Sequence, residues 1–192
     1  MTELRKLYLY DSVTGNEIGI DDSTASIQTI DYEHHEIHGG SHYFVVSYAD
    51  LTNGQVLDFT WQMPNTTKWI HWIFQIDCES EINWLVYEGV TATNPLANTI
   101  TPLNSNRNSG NTSGTTMKYE IQADLAAANA DTSVGGATTL MSGITKAKEG
   151  GEHSRSHEIV MDQNALYGLR AIANGAGFIN FAMQWYEHTD KA

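Results

Sequence analysis

The sequence predicts an all-β protein, an antiparallel β-sandwich of jelly-roll-like form with about eight strands. Three observations lead to this prediction. Apolar and polar residues alternate with a period of two along several short segments, no long amphipathic helix pattern occurs, and stretches rich in Asn, Thr, Ser and Gly separate the segments. The sequence contains no repeat of fixed period, which disfavours propellers and solenoids.

The first part of the sandwich is predicted to consist of two hairpins. Residues 43–63 end in a clear alternation, and the Asn53-Gly54 pair within them is a strong hairpin-turn signal. Residues 70–76 and 82–86 alternate in the same way on either side of a polar turn. We therefore expect the two strands of each pair to be hydrogen-bonded neighbours.

The second part of the sandwich is predicted from weaker but similar patterns. Residues 91–116 are expected to form a long loop, and loops of this length often carry function. The alanine-rich residues 125–130 fit one helical turn. Further strands are predicted at five segments, the last two being the clearest: residues 117–122, 137–144, 158–161, 167–173 and 178–186.

The chain is predicted to have one folded domain and an arm. Residues 1–30 contain turn-like stretches and few apolar residues, and they are assigned to an N-terminal arm or edge hairpin. Residues 31–192 are assigned to a single β-sandwich domain, long enough to need neither disulfide nor metal for stability. The single cysteine, Cys78, excludes an intramolecular disulfide, and its place in an apolar register predicts a buried thiol.

The charge of the chain is strongly negative and unevenly distributed. The net charge is −13, and residues 1–90 hold 14 acidic and 3 basic residues, a balance of −11. This balance argues against binding to nucleic acid or to an anionic membrane surface. The sequence lacks a run of about 18 apolar residues, and no apolar stretch follows Arg5 and Lys6, so we expect neither a membrane helix nor a signal peptide.

Sequence motifs of nucleophilic catalysis and phosphate binding are missing from the chain, which contains no Gly-x-Ser-x-Gly elbow and no P-loop. We therefore expect a protein that is not an enzyme and that has no cofactor. The tryptophans in the apolar registers of strands are predicted to lie in the core: Trp61, Trp72, Trp84 and Trp185. Trp69 and Tyr186 are the candidates for exposure, where they could stack on a sugar.

Histidines are concentrated in the segment from residue 34 to residue 42. In a strand, His34, Glu36 and His38 would share one face, a spacing similar to the His-x-His pattern of cupin metal sites. The candidate metal ligands are therefore His34, His38 and His42. A metal centre needs further ligands from elsewhere in the chain, and the other histidines lie singly in the sequence. We therefore interpret the histidines of this segment as polar residues near loops and expect no bound metal.

Five segments in this order resemble a family of small virion structural proteins of tailed bacteriophages. The resemblance extends over residues 31–188, most of the chain. The segments are residues 35–43 (HEIHGGSHY), 85–89 (LVYEG), 104–109 (NSNRNS), 150–155 (GGEHSR) and 174–188.

This resemblance implies a capsid decoration, or cement, protein that binds the major capsid protein on the outer surface of the phage head. A neck or tail position is the alternative place in the virion. It further implies a protein made in the host cytoplasm and a homo-oligomer, with a trimer favoured because such proteins commonly occupy threefold positions. We do not expect the protein to bind nucleic acids or membranes.

Two arginines lie within the resembling segments. A loop arginine in so acidic a chain is expected to have a carboxylate partner, either within the chain or across an interface. Arg107 and Arg155 are therefore candidates for an interface contact or an internal loop clamp. The alternative function for the same sandwich is a cupin-like metal-binding enzyme or a carbohydrate-binding module.

Overall fold

A computed structural model describes residues 20–21, 26–27, 32–91, 96–131, 138–146, 150–152 and 158–189. The chain divides into two compact units, residues 1–35 and residues 36–192. In the first unit, β1 (Ile20–Asp21) pairs antiparallel with β2 (Ser26–Ile27). The predicted arm comprises residues 1–30, and its residues other than those of β1 and β2 lie outside the described residues.

The remaining elements are two short helices and twelve strands among the described residues. They are, in chain order, α1 (Tyr32–Gly39), β3 (His42–Leu51), β4 (Val56–Gln62), β5 (Lys68–Cys78), β6 (Ile82–Glu88), β7 (Asn98–Ile100), β8 (Leu103–Asn104), β9 (Thr116–Gln122), α2 (Leu125–Asp131), β10 (Thr138–Thr145), β11 (Gly150–Glu152), β12 (Ile159–Met161), β13 (Leu166–Ala173) and β14 (Gly177–Thr189).

These strands form two antiparallel sheets that pack face to face. Sheet I has the order β10-β6-β13-β4-β9-β7, and sheet II has the order β11-β5-β14-β3-β8. β12 lies beside β5 as well, so that β11 and β12 occupy one edge of sheet II in turn, opposite residues 75–77 and 70–72. The prediction of an all-β sandwich is confirmed.

The connections make the sandwich a jelly roll. β3, β4, β5 and β6 alternate between sheet II and sheet I, and β13 and β14 do the same. Sheet II therefore contains the strand order β3-β14-β5-β11/β12, and sheet I contains the order β4-β13-β6-β10. These two four-stranded orders, facing each other, are those of a jelly roll. β7, β8 and β9 add to these eight positions, so the strand count is higher than predicted.

The two predicted hairpins are wrong, although their strands exist. β3 pairs with β14 and β8, whereas β4 pairs with β13 and β9. The turn at Gly54 therefore carries the chain from sheet II to sheet I, and the Gly54 amide donates to the Ala173 carbonyl at 2.8 Å. A turn signal specifies only that the chain reverses its direction. The apolar face of the second strand is buried equally well whether that strand pairs with the first strand or lies in the opposite sheet.

Aromatic rings from the two sheets meet in the core. The ring centroids of Phe59 and Phe181 lie 3.9 Å apart, and those of Trp61 and Trp72 lie 5.1 Å apart. Trp61, Trp72 and Trp185 are buried and Trp84 is half-buried against the core, which confirms their prediction as core residues. Cys78 is also buried, as predicted, and its Sγ lies 3.5 Å from the Thr145 carbonyl oxygen.

Gly143 leaves room for the half-buried tryptophan of sheet I. A Cβ at this position would lie 2.4 Å from Cζ2 of Trp84, whose Nε1 donates to Thr145 Oγ1 at 3.1 Å. We expect Gly143→Ala to lower the free energy of unfolding by about 1–3 kcal/mol, because overpacking displaces the indole. Urea unfolding measures this loss, and Ser142→Ala at the exposed neighbouring position is the control. Equal stability of the two variants would show that the indole adapts without strain.

Candidate functional site

The outer face of sheet II carries an exposed apolar patch, which we define as Val46, Tyr48 and Phe178. Their exposed fractions are 68 %, 69 % and 47 %. The rings of Tyr48 and Phe178 contact each other edge to face, with centroids 6.0 Å apart. Scattered single apolar residues are normal on a surface, whereas large contiguous apolar patches mark interaction sites.

The strand register positions the apolar patch. Val45 and Ala49 of β3 point into the core, so Val46 and Tyr48 between them point outward. On β14 the Cα partner of Val46 is Ala182, a small residue that leaves the valine uncovered. The patch therefore belongs to two adjacent, regularly paired strands and has a fixed shape.

Carboxylates border the patch at one end. Asp50 is exposed and is the register partner of Phe178, and the Glu79 carboxylate accepts a hydrogen bond from the Phe178 amide at 3.2 Å. Asp77 lies one strand further and accepts from Gln75 Nε2 at 3.0 Å. The apolar centre therefore has a negative border, which a partner with a neutral or basic rim would fit.

The predicted metal candidates lie in a helix and not in a strand. α1 carries His34 and His38 on its surface, both exposed, whereas Glu36 is buried. His42 is buried in β3, and its Nδ1 lies 2.6 Å from Ser105 Oγ. The shared strand face of His34, Glu36 and His38 is thus wrong. Among the described ranges, no group of three or more His, Cys, Asp or Glu side chains could hold a metal ion.

A glycine with a left-handed backbone marks the end of helix α1. Gly40 has a φ of +71°, its amide donates to the Ile37 carbonyl at 3.1 Å, and the Ser41 amide donates to the Glu36 carbonyl at 3.0 Å. This pair of bonds is the Schellman ending of an α-helix, which requires a left-handed residue after the last turn. The Gly39-Gly40 pair was therefore the available sign that the histidines belong to a helix.

The Asn-rich part of the predicted loop is fastened to this helix end. Asn104 Nδ2 and Asn111 Nδ2 both donate to the Gly40 carbonyl, at 2.9 Å and 3.1 Å, and Asn106 Nδ2 donates to the His38 carbonyl at 3.1 Å. The predicted long loop thus includes β7 and β8 and, beyond them, a segment held by side-chain amides. Asn104, Asn106 and Asn111 therefore fasten this segment to the end of α1.

Arg107 lies exposed within this segment, and its Nη1 donates to the Asn104 carbonyl at 3.3 Å. This contact lies within the loop and goes to a backbone carbonyl, whereas a carboxylate was the partner expected from the sequence. Arg155 lies outside the described residues.

A cluster of polar rings on the outer face of sheet II was missed from the sequence. Glu158 accepts a hydrogen bond from Tyr186 Oη at 2.5 Å and contacts Nδ1 of His71. The rings of His71 and Tyr186 stack with centroids 4.5 Å apart, and His188 packs against both. Glu158 lies 87 residues from His71 in the sequence, so no local spacing could have revealed the cluster.

The two predicted exposed aromatics have different outcomes. Trp69 is 41 % exposed, as predicted, and is the register partner of His188. Tyr186 is only 6 % exposed, so its prediction is wrong, because the histidine rings and Glu158 cover it. An exposed indole can stack on a sugar, and Trp69 is the residue that a carbohydrate-binding role would use.

A buried ion pair lies on sheet I. Arg170 of β13 donates from Nε and Nη2 to both carboxylate oxygens of Asp58 of β4, at 2.7 Å and 2.8 Å. The same guanidinium donates to the Ala128 carbonyl and to Asn129 Oδ1 of α2. Because it joins two strands and a helix, this bidentate pair anchors α2 to sheet I.

Comparison of the chain with protein-family models, with curated proteins and with solved structures finds no match. None of the helices among the described residues combines the length and the apolar character that crossing a membrane requires.

Proposed function

We propose that the protein is a structural component of a tailed-phage virion that binds the outer surface of the capsid shell and stabilises it. The observation that carries the proposal is the apolar patch on the outer face of sheet II, on a chain of net charge −13. Such a patch on an acidic protein is suited to docking on another protein.

The segments that resemble the phage family support the proposal through their positions. The segment of residues 35–43 contacts the segment of residues 104–109, since Asn104 Nδ2 donates to the Gly40 carbonyl at 2.9 Å. The segment of residues 174–188 contains most of β14, which pairs with β3 and contributes Phe178 to the apolar patch. Parts of these three resembling segments therefore help to build sheet II, whereas the segment of residues 85–89 lies mainly in β6 of sheet I.

Docking is proposed to be mainly apolar. The carboxylates near the patch help to keep the protein soluble. Contacts between charges weaken with added salt, because the Debye length falls from about 10 Å at 0.1 M to about 3 Å at 1 M. Burial of apolar groups does not weaken in this way. Occupancy on capsids should therefore stay unchanged between roughly 0.05 and 1 M NaCl.

Patch variants test the proposal on emptied particles of the phage that encodes the chain. We expect Val46→Ser combined with Phe178→Ser to weaken binding to particles roughly tenfold or more, because two exposed apolar side chains are no longer buried on docking. The control is Ile144→Ser, which removes an apolar side chain that is 64 % exposed on sheet I.

Equal occupancy of the patch variant and the control would contradict docking through the patch. A steep loss of wild-type occupancy with salt would instead assign docking to the carboxylates of the acidic first half. Failure of the wild-type protein to bind any surface of the particle would contradict the proposed function itself.

A further inference from the structure

Among the residues that the structure describes, the β3 edge of sheet II is unpaired over most of its length. β14 pairs with all ten residues of β3 on one side, from Leu51 to His42. On the other side β8 pairs only with Tyr43 and Phe44. Residues 45–51, about 23 Å of strand, have no pairing strand beside them within the part of the chain that the structure describes.

The described residues of this edge strand, 45–51, do not themselves carry the features that usually protect an edge strand. Natural edge strands commonly carry lysine, proline, a bulge or an inward-pointing charge, which prevent pairing with another chain. Residues 45–51 contain neither lysine nor proline, and their register with β14 runs without a shift. The one charged side chain in this stretch is Asp50. The open edge is therefore competent to pair with an added strand.

We propose that this edge pairs with the same edge of a second copy, antiparallel and centred on Tyr48, which joins two copies of sheet II into one continuous sheet. A symmetric pairing centred on Tyr48 uses all seven open residues, because Val45 then lies opposite Leu51 of the other copy. A centre at Ser47 would place Phe44, which β8 already pairs, opposite Asp50. For pairing with a second copy, the length of the open edge thus selects the register.

Charge and side-chain chemistry agree with this register. Tyr48 lies opposite its own counterpart, and aromatic cross-strand pairs stabilise sheets. Asp50 lies opposite Val46 of the other copy, so the two Asp50 side chains are separated by about 14 Å along the strands. This separation exceeds the Debye length of about 8 Å at physiological salt, so their repulsion is largely screened.

The pairing would enlarge the surface used in the proposed function. Val46 and Tyr48 of each copy lie next to the two-fold axis and on the outer face, so the two apolar patches become neighbours on one sheet. Avidity of two joined patches for a shell with repeated subunits exceeds that of one patch. The inference itself concerns the free protein and does not depend on the presence of a capsid.

Sedimentation equilibrium of the full chain over micromolar to submillimolar concentration tests the proposal. We expect a reversible monomer–dimer equilibrium with a dimer of twice the 21.3 kDa of one chain. Tyr48→Lys and Tyr48→Glu, each alone, should raise the dissociation constant at least about fivefold, because like charges then face each other across the axis. Mixing the two variants should restore association as a heterodimer.

The mixed sample makes the test specific for the register, since only a residue that faces its own counterpart is rescued in this way. The matched control is the pair Ile144→Lys and Ile144→Glu, on the edge strand β10 of sheet I, which should leave the equilibrium unchanged. A wild-type monomer at every concentration, a trimer, or a dimer that both Tyr48 variants leave intact would each overturn the proposal. None of these outcomes would decide whether the protein binds capsids.

Discussion

Asp58→Ala is expected to lower the free energy of unfolding by about 3–5 kcal/mol. Asp58 and Arg170 are both buried, and the substitution leaves the guanidinium buried without the carboxylate that it binds through two hydrogen bonds. The hydrogen bonds to the Ala128 carbonyl and to Asn129 remain, but neither group carries a negative charge that would compensate the arginine. Urea unfolding followed by tryptophan fluorescence measures the loss.

Two comparisons separate the ion pair from general effects of a substitution. Asp50→Ala removes an exposed carboxylate and should change stability by less than about 0.5 kcal/mol. The double variant Asp58→Ala with Arg170→Met should lose less than the sum of the two single losses, because removal of both charges leaves none uncompensated. A loss for Asp58→Ala no larger than that for Asp50→Ala would contradict the role of the pair.

Gly40→Ala is expected to lower the free energy of unfolding by about 2–5 kcal/mol, the sum of left-handed strain and a steric clash. Gly40 has a φ of +71°, and a Cβ there would lie 2.4 Å from Ser109 Oγ and 2.9 Å from Ser109 Cβ. Relief of the clash would displace the segment that Asn104 and Asn111 fasten to the Gly40 carbonyl. Equilibrium unfolding of the variant provides the measurement.

The matched control isolates the strain from the clash. Gly54 has a φ of +87° with no atom within 4 Å of the added Cβ, so Gly54→Ala carries the strain alone, about 1–2 kcal/mol. Ser109→Gly in the Gly40→Ala background removes both clashing atoms and should recover part of the loss. Equal losses for Gly40→Ala and Gly54→Ala would show that the segment yields without energetic consequence.

The sequence predicted the burial of strand faces better than the neighbours of each strand. Alternation identified the strands that contain Trp61 and Trp72 and their inward faces, which the core confirms. The alternation cannot state which strand lies beside which, because sheet pairing depends on the whole chain. The local Asn53-Gly54 signal therefore led to a hairpin where the chain changes sheets.

The site was predictable only in part, for a related reason. Tyr43, Phe44, Val45 and Val46 form an apolar run with no polar residue between them, which indicates apolar side chains on both faces of β3. A run of this kind normally means burial on both faces, so exposure of Val46 could not be read from it. Asp58 and Arg170 are 112 residues apart in the sequence, so no local sequence pattern could reveal their ion pair.

The copy number of the chain in purified phage particles tests the proposed function most directly. Under the proposed function a phage encodes the chain, and quantitative mass spectrometry of its particles, with the major capsid protein as internal reference, gives this number. Our account predicts hundreds of copies, in a fixed ratio to the shell subunit. A single small ring of copies would place the protein at the neck or tail, and absence of the chain from washed particles would contradict a role in the virion.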